Sequence, residues 1–506
     1  MAGALRENRS VWAAQPKTHY PQLHGTERAD VAVVGGGITG LTTALLVART
    51  GARVALLEAL KIGTGVTGYS TAKVTSLHGL AYSRIAARFG TEGARRYGEA
   101  NQAGIERLAS LVTEHGIECL FQRQPAYTYT CDPALLNRIQ REVHAALTAG
   151  LPASFAERSE LPFPIRGAVR FENQAQLDPY RYCVGLARAF TDSAGGRIFE
   201  ESRAVWIETG KDARCSVRTT QGTIEAERIV LATLLPFADP GVFFARTHPE
   251  RSYGLCVELD GPVPGGMHLS AEQPTRSVRP MGEGQRVIVV GESHKVGQSP
   301  DTRKHYQALE SWCRRVFPVR AVVHRWSAQD YMPSDGVPFI GWMPFTSKRI
   351  LVATGFQKWG LSTGTAAAMI FSDLLQGRPN PWASLFDPGR LDFLRSPRSF
   401  LIENLNVGKR FLADRLKSVF APAVEKLPSG QAAVVRCRGG KAAAYRDEAG
   451  VLHAVAPACT HMGCRLTWNT AEGAPGPAVV TGRRDWIPAF AGRTEIMRHM
   501  GRDDEL

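Results

Sequence analysis

Apolar and polar positions change rhythm several times along the chain. Residues 30–34 form a short β-rich run, glycines follow at once, and residues 38–50 carry apolar side chains at helical spacing. Residues 52–58 are a second apolar run of strand length, so a β-α-β unit opens the first folded region. Helical spacing dominates from about residue 80 to 150, with Ile105, Leu108, Leu111 and Val112 on one face. From residue 197 the rhythm is that of strands: 203–208, 215–219, 229–231, 253–259 and 287–290. The mixture predicts an α/β fold, a Rossmann-like nucleotide domain interleaved with an α+β substrate domain of more antiparallel character. No internal repeat is visible.

Pro379, Pro381, Pro388 and Pro397 mark the end of this body, and residues 400–420 read as an amphipathic connector. Beyond it, the runs 432–437, 442–446 and 452–456, separated by glycine-containing turns, predict a small all-β module. The resulting division is a leader (1–27), a main domain (28–395), a connector (396–426), a β module (427–470) and a divergent tail (471–506).

Composition narrows the classes without naming one. The 506 residues are 44% hydrophobic and 21% charged, as in ordinary globular proteins. The net charge of +14 is scattered among apolar segments, which reads as a solvated surface and not as a nucleic-acid patch. Nine cysteines, odd in number and mostly far apart, argue against a disulfide framework and for a reducing compartment. The first residues contain no apolar core of a signal peptide, and residues 31–48, the most membrane-like run, fit a strand, turn and helix better than a span. A cytoplasmic location is the expectation. The terminal Asp-Asp-Glu-Leu has no meaning as a retention signal without a signal peptide.

The strongest chemical signal is Gly35-Gly36-Gly37-Ile38-Thr39-Gly40 between strand and helix, with Glu58 ending the next strand eighteen residues on. Gly35 permits a tight turn, Gly37 lets the backbone approach a pyrophosphate, and Gly40 lets the helix pack against the strand. The helix N-terminus offers free N–H groups and a positive dipole, and Glu58 is placed to accept from ribose hydroxyls. NAD and FAD share this arrangement.

Three segments resolve that choice through a resemblance. The early motif, the loop Gly63-Thr64-Gly65-Val66-Thr67-Gly68-Tyr69-Ser70-Thr71-Ala72-Lys73 and the late Asp335-Gly336-Val337-Pro338-Phe339-Ile340-Gly341 resemble FAD-dependent oxidoreductases of the D-amino-acid oxidase superfamily over roughly residues 28–385. The resemblance implies that the loop containing Thr71 and Ala72 runs beside the flavin. It further implies that residues 178–190 are a helix preceding a strand that meets the adenine, with Val205 its neighbour, and that residues 229–233, ending at Thr233, are a further cofactor-domain strand. Residues 353–364, with Gly355, Lys358, Gly360 and Leu361, would pass the flavin ring and open a helix whose N-terminal dipole favours negative charge on reduced flavin. The activity implied is oxidation of a C–N bond by hydride transfer to FAD, for which no protein base is required. Lys358 is a candidate for oxygen activation or substrate charge, and Arg251, Tyr253 and Arg279 are candidate carboxylate binders. For each of these, and for His294 and Lys295 in a loop after a buried strand, a surface or core role is at least an equal alternative.

The β module ends in Cys459-Thr460-His461-Met462-Gly463-Cys464, which resembles the first cluster loop of a Rieske [2Fe–2S] domain, with Cys459 and His461 as ligands. The family's second Cys-x-x-His loop is absent, because no cysteine follows Cys464. A truncated relic, left by a frameshift or insertion, is the expectation; zinc at Cys459, His461, Cys464 and His499, or a cluster completed by a second chain or a thiol, are the alternatives. The partners expected are a small-molecule substrate and an electron acceptor, the Rieske-type [2Fe–2S] centre if that site is functional and otherwise oxygen, a quinone or a protein, with no nucleic acid and no membrane span. A flavin-binding electron-transfer or assembly protein without amine turnover is the competing function, and a purely NAD-binding structural protein is opposed by residues 229–233 and 335–364.

Overall fold

The computed structural model describes residues 9–15, 18–210, 214–282, 284–299, 301–390, 422–437, 440–447, 449–455, 457, 467–469 and 474–476. The chain divides into two compact units, residues 1–295 with 304–403, and residues 404–506 with 296–303.

The first unit is built on two large sheets. The nucleotide sheet has six strands in the order Phe339–Trp342, Ile350–Thr354, Arg228–Leu231, Val31–Val34, Val54–Leu57 and Arg197–Phe199. All pairs are parallel except the first. Val31–Val34 and Val54–Leu57 are buried at every position, as strands covered on both faces must be, which explains why they read as unbroken apolar runs. The helix Ile38–Ala48 is buried along its whole length. It packs against the helix Gly360–Leu375 so closely that a Cβ on Gly364 would lie 2.4 Å from Thr39 Oγ1.

The second sheet runs Val319–Pro333, Thr247–Leu259, Arg286–Lys295, Arg276–Pro280, Met267–Ser270, Gln122–Thr130, Gly167–Gln176 and Lys73–Val74, with Ala153–Ala156 paired to Gly167–Gln176 beside this path. It is antiparallel apart from Met267–Ser270 against Gln122–Thr130. A four-stranded sheet of Gly25–Arg28, Gly222–Ala226, Cys215–Arg218 and Trp206–Thr209 completes the unit. The predicted interleaving is therefore present: the chain leaves the nucleotide sheet for the antiparallel one after Leu57 and returns at Arg197, leaves again after Leu231 and returns at Phe339.

Several boundaries differ from the sequence reading. The region 80–150 is not wholly helical, since the nine-residue strand Gln122–Thr130 separates the helices Ala81–Glu114 and Leu136–Thr148. Its Pro125 and three glutamine or arginine residues hide the alternation, and its pairing partners are remote in sequence. His294 and Lys295 end a strand; they do not lie in a loop. The leader is drawn into the core: Val11 and Trp12 pack with the nucleotide domain's apolar cluster.

In the second unit, Ala432–Cys437, Gly440–Arg446 and Leu452–Val455 form an antiparallel sheet, and Thr467–Asn469 pairs with Ala474–Gly476. Val424, Leu427, Val435, Ala442 and Ala444 are its small core. The predicted connector 400–420 lies outside the described residues, as do Cys459, His461, Cys464 and His499.

Candidate active site

The turn after Val34 is fixed by backbone proximity. Gly35 has φ +114°, and a Cβ there would meet Ala232 O at 2.5 Å. A Cβ on Gly40 would fall 1.9 Å from Gly35 O, so the first helical turn seats directly on the loop. Gly37 is the N-cap of the helix that Ile38 and Thr39 begin. Glu58 accepts from Gly36 N–H at 2.7 Å and from Leu60 N–H at 2.8 Å, and burial pushes its carboxyl upward in pKa while those two donors oppose the shift. Its carboxylate thus locks the glycine turn as well as standing at the strand end where a ribose would be met. These residues fit a dinucleotide: the helix N-terminus, the close-packed glycines and the fixed acid occupy the required positions.

The strand returning to this sheet is Arg197–Phe199, and Val205 lies past it, about half exposed, with its N–H donating to Arg218 O at 2.8 Å. Between them Ser202 N–H donates to Glu58 O at 2.9 Å, which keeps this segment beside the acid. Thr233 follows the strand Arg228–Leu231, where its Oγ1 donates to Leu235 O.

The loop carrying Thr71 and Ala72 is held from two sides. Trp12 Nε1 donates to Ser70 O at 2.9 Å and Trp326 Nε1 donates to Tyr69 O at 3.0 Å, while Ala72 takes φ +59° and Lys73 enters the antiparallel sheet. On the late segment Gly355, Gln357 and Lys358 all have positive φ, and the turn ends where the helix opens at Gly360 and Leu361. Strained residues of this kind persist only where surrounding bonds over-determine them. Here Asp330 accepts from Lys358 N–H and Gln357 Nε2 donates to Gly336 O at 2.7 Å. Burial raises Asp330 to about 6.

Lys358 Nζ donates to Glu250 at 3.0 Å and to Ser293 Oγ at 2.9 Å. Glu250 is held at about 2, through His248 first and then Lys358 against the opposing effect of burial. Lys358 is therefore an ion-paired cation at the edge of the segment. Arg251 and Tyr253 occupy the alternate positions of the Glu250 strand and so point to its other face. Arg251 donates to Ser327 Oγ, and Tyr253 hydroxyl bonds His294 Nε2 at 2.9 Å and stacks on His305. The structure thus separates these two candidates from Lys358. Burial lowers the His294 pKa.

Arg279 lies on the sheet face that carries Trp326, whose ring holds the Tyr69–Lys73 loop: it pairs across the sheet with Ile288, which in turn pairs with Cys256, two positions from the Gly254 that touches Trp326. Beside it is a residue the sequence reading quoted but did not single out, Lys73. Its signal was a lysine directly after Thr71 and Ala72 of the quoted loop. Asp330 and Trp12 were also missed, the first an acid within a long strand, the second within the leader.

Comparison with known proteins agrees with this geometry. Residues 30–374 match the family model described as FAD dependent oxidoreductase, and residues 417–478 match that of the Rieske [2Fe-2S] domain. The chain is 35% identical over 458 residues, 90% of its length and 89% of the relative's, to YhfW of Bacillus subtilis (strain 168), described as a Rieske 2Fe-2S iron-sulfur protein. Among solved structures, glycine oxidase from Geobacillus kaustophilus superposes with TM-score 0.61 at 18% identity, covering 72% of this chain and 99% of that one. L-proline dehydrogenase from P. horikoshii gives TM-score 0.60 at 16% identity, covering 74% and 98%. No helix among the described residues is long and apolar enough to cross a membrane. With its glycine turn, its fixed acid and a family match over two thirds of its length, the chain belongs to the FAD-dependent oxidoreductases of the D-amino-acid oxidase type and carries a C-terminal Rieske-type module.

Proposed function

We propose that the protein oxidises the C–N bond of an amine or amino-acid-like substrate and acts in the cytoplasm. The observation that carries this reading is the convergence of the Tyr69–Lys73 loop and the strained Gly355–Leu361 turn on one face of the antiparallel sheet, with the dinucleotide turn on the adjoining sheet. The relatives named for glycine and L-proline act on C–N substrates and share the fold. FAD, when bound, supplies the acceptor for a hydride from the carbon that carries the nitrogen. The chain's own part would be to hold it: Gly35, Gly37, Ile38, Thr39 and Gly40 at the pyrophosphate, Glu58 at the ribose, with Val205 past the strand Arg197–Phe199 and Thr233 past Arg228–Leu231. Thr71 and Ala72, with Gly355, Lys358, Gly360 and Leu361, would flank the ring. The N-terminal dipole of Gly360–Leu375 favours negative charge there.

The second unit does not complete a Rieske centre by itself. Such a centre needs two cysteines and two histidines, and after Cys464 the sequence contains no cysteine. With the ligands that these residues supply, the electrons leave the flavin for oxygen, a quinone or another protein; with a complete ligand set they would pass to the Rieske-type centre.

Mixing the FAD-loaded protein anaerobically with a panel of amines and amino acids tests the reading. Bleaching of the flavin by a member of the panel supports it. Flavin that binds but stays oxidised with every amine, yet accepts electrons from a reduced protein donor, would favour an electron-transfer role.

A further inference from the structure

His78 follows the Tyr69–Lys73 loop within a run, Val74 to His78, that is buried at every position. It is 5% exposed, and both ring nitrogens are engaged: Nδ1 lies 2.7 Å from the Tyr97 hydroxyl, and Nε2 lies 2.7 Å from Thr75 O and 3.2 Å from Ser362 Oγ. These partners fix the tautomer. A carbonyl only accepts, so Nε2 carries the hydrogen and donates to Thr75 O, and Nδ1 accepts from the Tyr97 O–H. Ser362 Oγ donates to Trp359 O at 3.5 Å, which leaves its lone pairs for the same Nε2–H. The imidazole also stacks on the Trp359 ring, with centroids 4.6 Å apart and planes at 14°, while Tyr97 stands edge-on at 5.6 Å. Burial lowers the imidazole to about 3, so the ring is neutral at working pH.

The partners of His78 belong to the start of one helix. Trp359 is the N-cap of Gly360–Leu375, and Ser362 stands in its first turn. Gln357 and Lys358, which precede Trp359, are both left-handed, a conformation that needs support from outside the turn. Asp330 gives that support at Lys358 N–H from the strand Val319–Pro333. His78 gives it at Trp359 and Ser362 from the segment that follows the Tyr69–Lys73 loop. The helix Ala81–Glu114 closes on the same turn: Thr363 Oγ1 donates to Asn101 Oδ1, and a Cβ on Gly104 would lie 2.4 Å from Ser362 O. The free N–H groups of a first helical turn point wherever that turn points, so a side chain that fixes the turn also aims the positive end of the helix.

We propose that His78 is a positioning residue for the flavin: through Trp359 and Ser362 it keeps the N-terminus of Gly360–Leu375 in register with the Tyr69–Lys73 loop and thereby raises the reduction potential of bound FAD. The inference rests on the reading that these two segments flank the flavin ring, and it deepens that reading. A well-aimed helix end favours the negative charge of reduced flavin, and a loosened turn gives up part of that stabilisation and lowers the potential. A phenyl ring at this position would preserve the stack but supply neither the donor nor the acceptor.

The test is the two-electron reduction potential of the FAD-loaded full chain, measured by equilibration with redox dyes, beside its thermal unfolding. His78→Phe is expected to retain flavin and to lower the equilibrium constant for flavin reduction at least tenfold, about 30 mV for two electrons. Ser362→Ala should lower it in the same direction, and the double variant by no more than the larger single effect, because both changes act through one contact. His78→Gln, which retains a donor for Thr75 O and Ser362 Oγ, should recover most of the loss. Where His78→Phe fails to fold, Ser362→Ala decides, since it removes a single hydroxyl. A lowered unfolding temperature with an unchanged potential is the signature of a merely structural histidine and overturns the proposal, as do additive losses in the double variant. Amines mixed anaerobically with the same proteins separate the two readings. Lowered potentials in a flavoprotein that no amine bleaches leave the positioning role and remove C–N oxidation; bleaching with unchanged potentials leaves C–N oxidation and removes the positioning role.

Discussion

The carboxylate of Asp330 accepts a hydrogen bond from the backbone N–H of Lys358, joining the strand Val319–Pro333 to a turn in which Gln357 and Lys358 are both left-handed. One buried acid thereby holds the segment that leads into the helix Gly360–Leu375.

That bond has a pH signature. Burial raises Asp330 from 3.8 to about 6, so the folded state keeps this proton longer than the unfolded chain does. The contribution of Asp330 to stability is fully present below about pH 4, falls as pH rises to about 6 and is level beyond. At about 1.4 kcal/mol per unit of displacement, the difference between the parent and Asp330→Asn should change by about 3 kcal/mol across that window. Urea unfolding of both proteins at several pH values measures it, and parallel pH profiles would contradict the assignment.

Gly40→Ala places a methyl group 1.9 Å from Gly35 O, a backbone atom with no flexible side chain to yield. The helix must move off the glycine turn proposed to hold the pyrophosphate. The variant is expected to purify with less than about a tenth of the parent's flavin, a loss above about 1.4 kcal/mol in FAD affinity. Absorbance of the released cofactor decides the matter.

Trp12 ties the leader to the Tyr69–Lys73 loop through Ser70 O and backs Arg279. Trp12→Leu should cost about 3 kcal/mol in unfolding free energy. Trp12→Phe, which keeps a ring but loses the donor, should cost about 1 kcal/mol. Both should increase proteolysis within the Tyr69–Lys73 loop.

Arg390 grips Asp335 with two bonds, 2.7 and 3.1 Å, in a buried pair, and lies 3.9 Å over the Phe339 ring. Breaking the pair by Asp335→Ala leaves a buried guanidinium without its partner and is expected to cost about 3–5 kcal/mol. Arg390→Leu in the same chain should restore part of that loss. Denaturant midpoints of the single and double variants supply the comparison.

The parts of this fold that were legible were those whose cause is local. The glycine turn, Glu58 and the first strand and helix follow from constraints lying within about thirty residues. The strand Gln122–Thr130 was hidden because its partners lie near residues 170 and 268, and polar residues fill its exposed half. Trp12 gave no signal because an isolated tryptophan in a polar stretch becomes core only when the loop at Ser70 is brought to it. Arg251 and Lys358 read alike as basic residues near the site, yet strand alternation places Arg251 on the far face and an ion pair engages Lys358. Lys73 and Arg279 lie about two hundred residues apart, and only the sheet brings their charges together.

The central claim is tested most directly by the visible absorption spectrum of the purified protein, recorded in air and after chemical reduction, together with its iron content. The account predicts flavin bands corresponding to one FAD per chain, bleached on reduction, with no underlying iron–sulfur absorption and no stoichiometric iron. A protein that neither carries nor takes up FAD would contradict the flavoprotein assignment, and a broad iron–sulfur absorption beneath the flavin bands would show that Cys459 and His461 find the ligands this sequence does not supply.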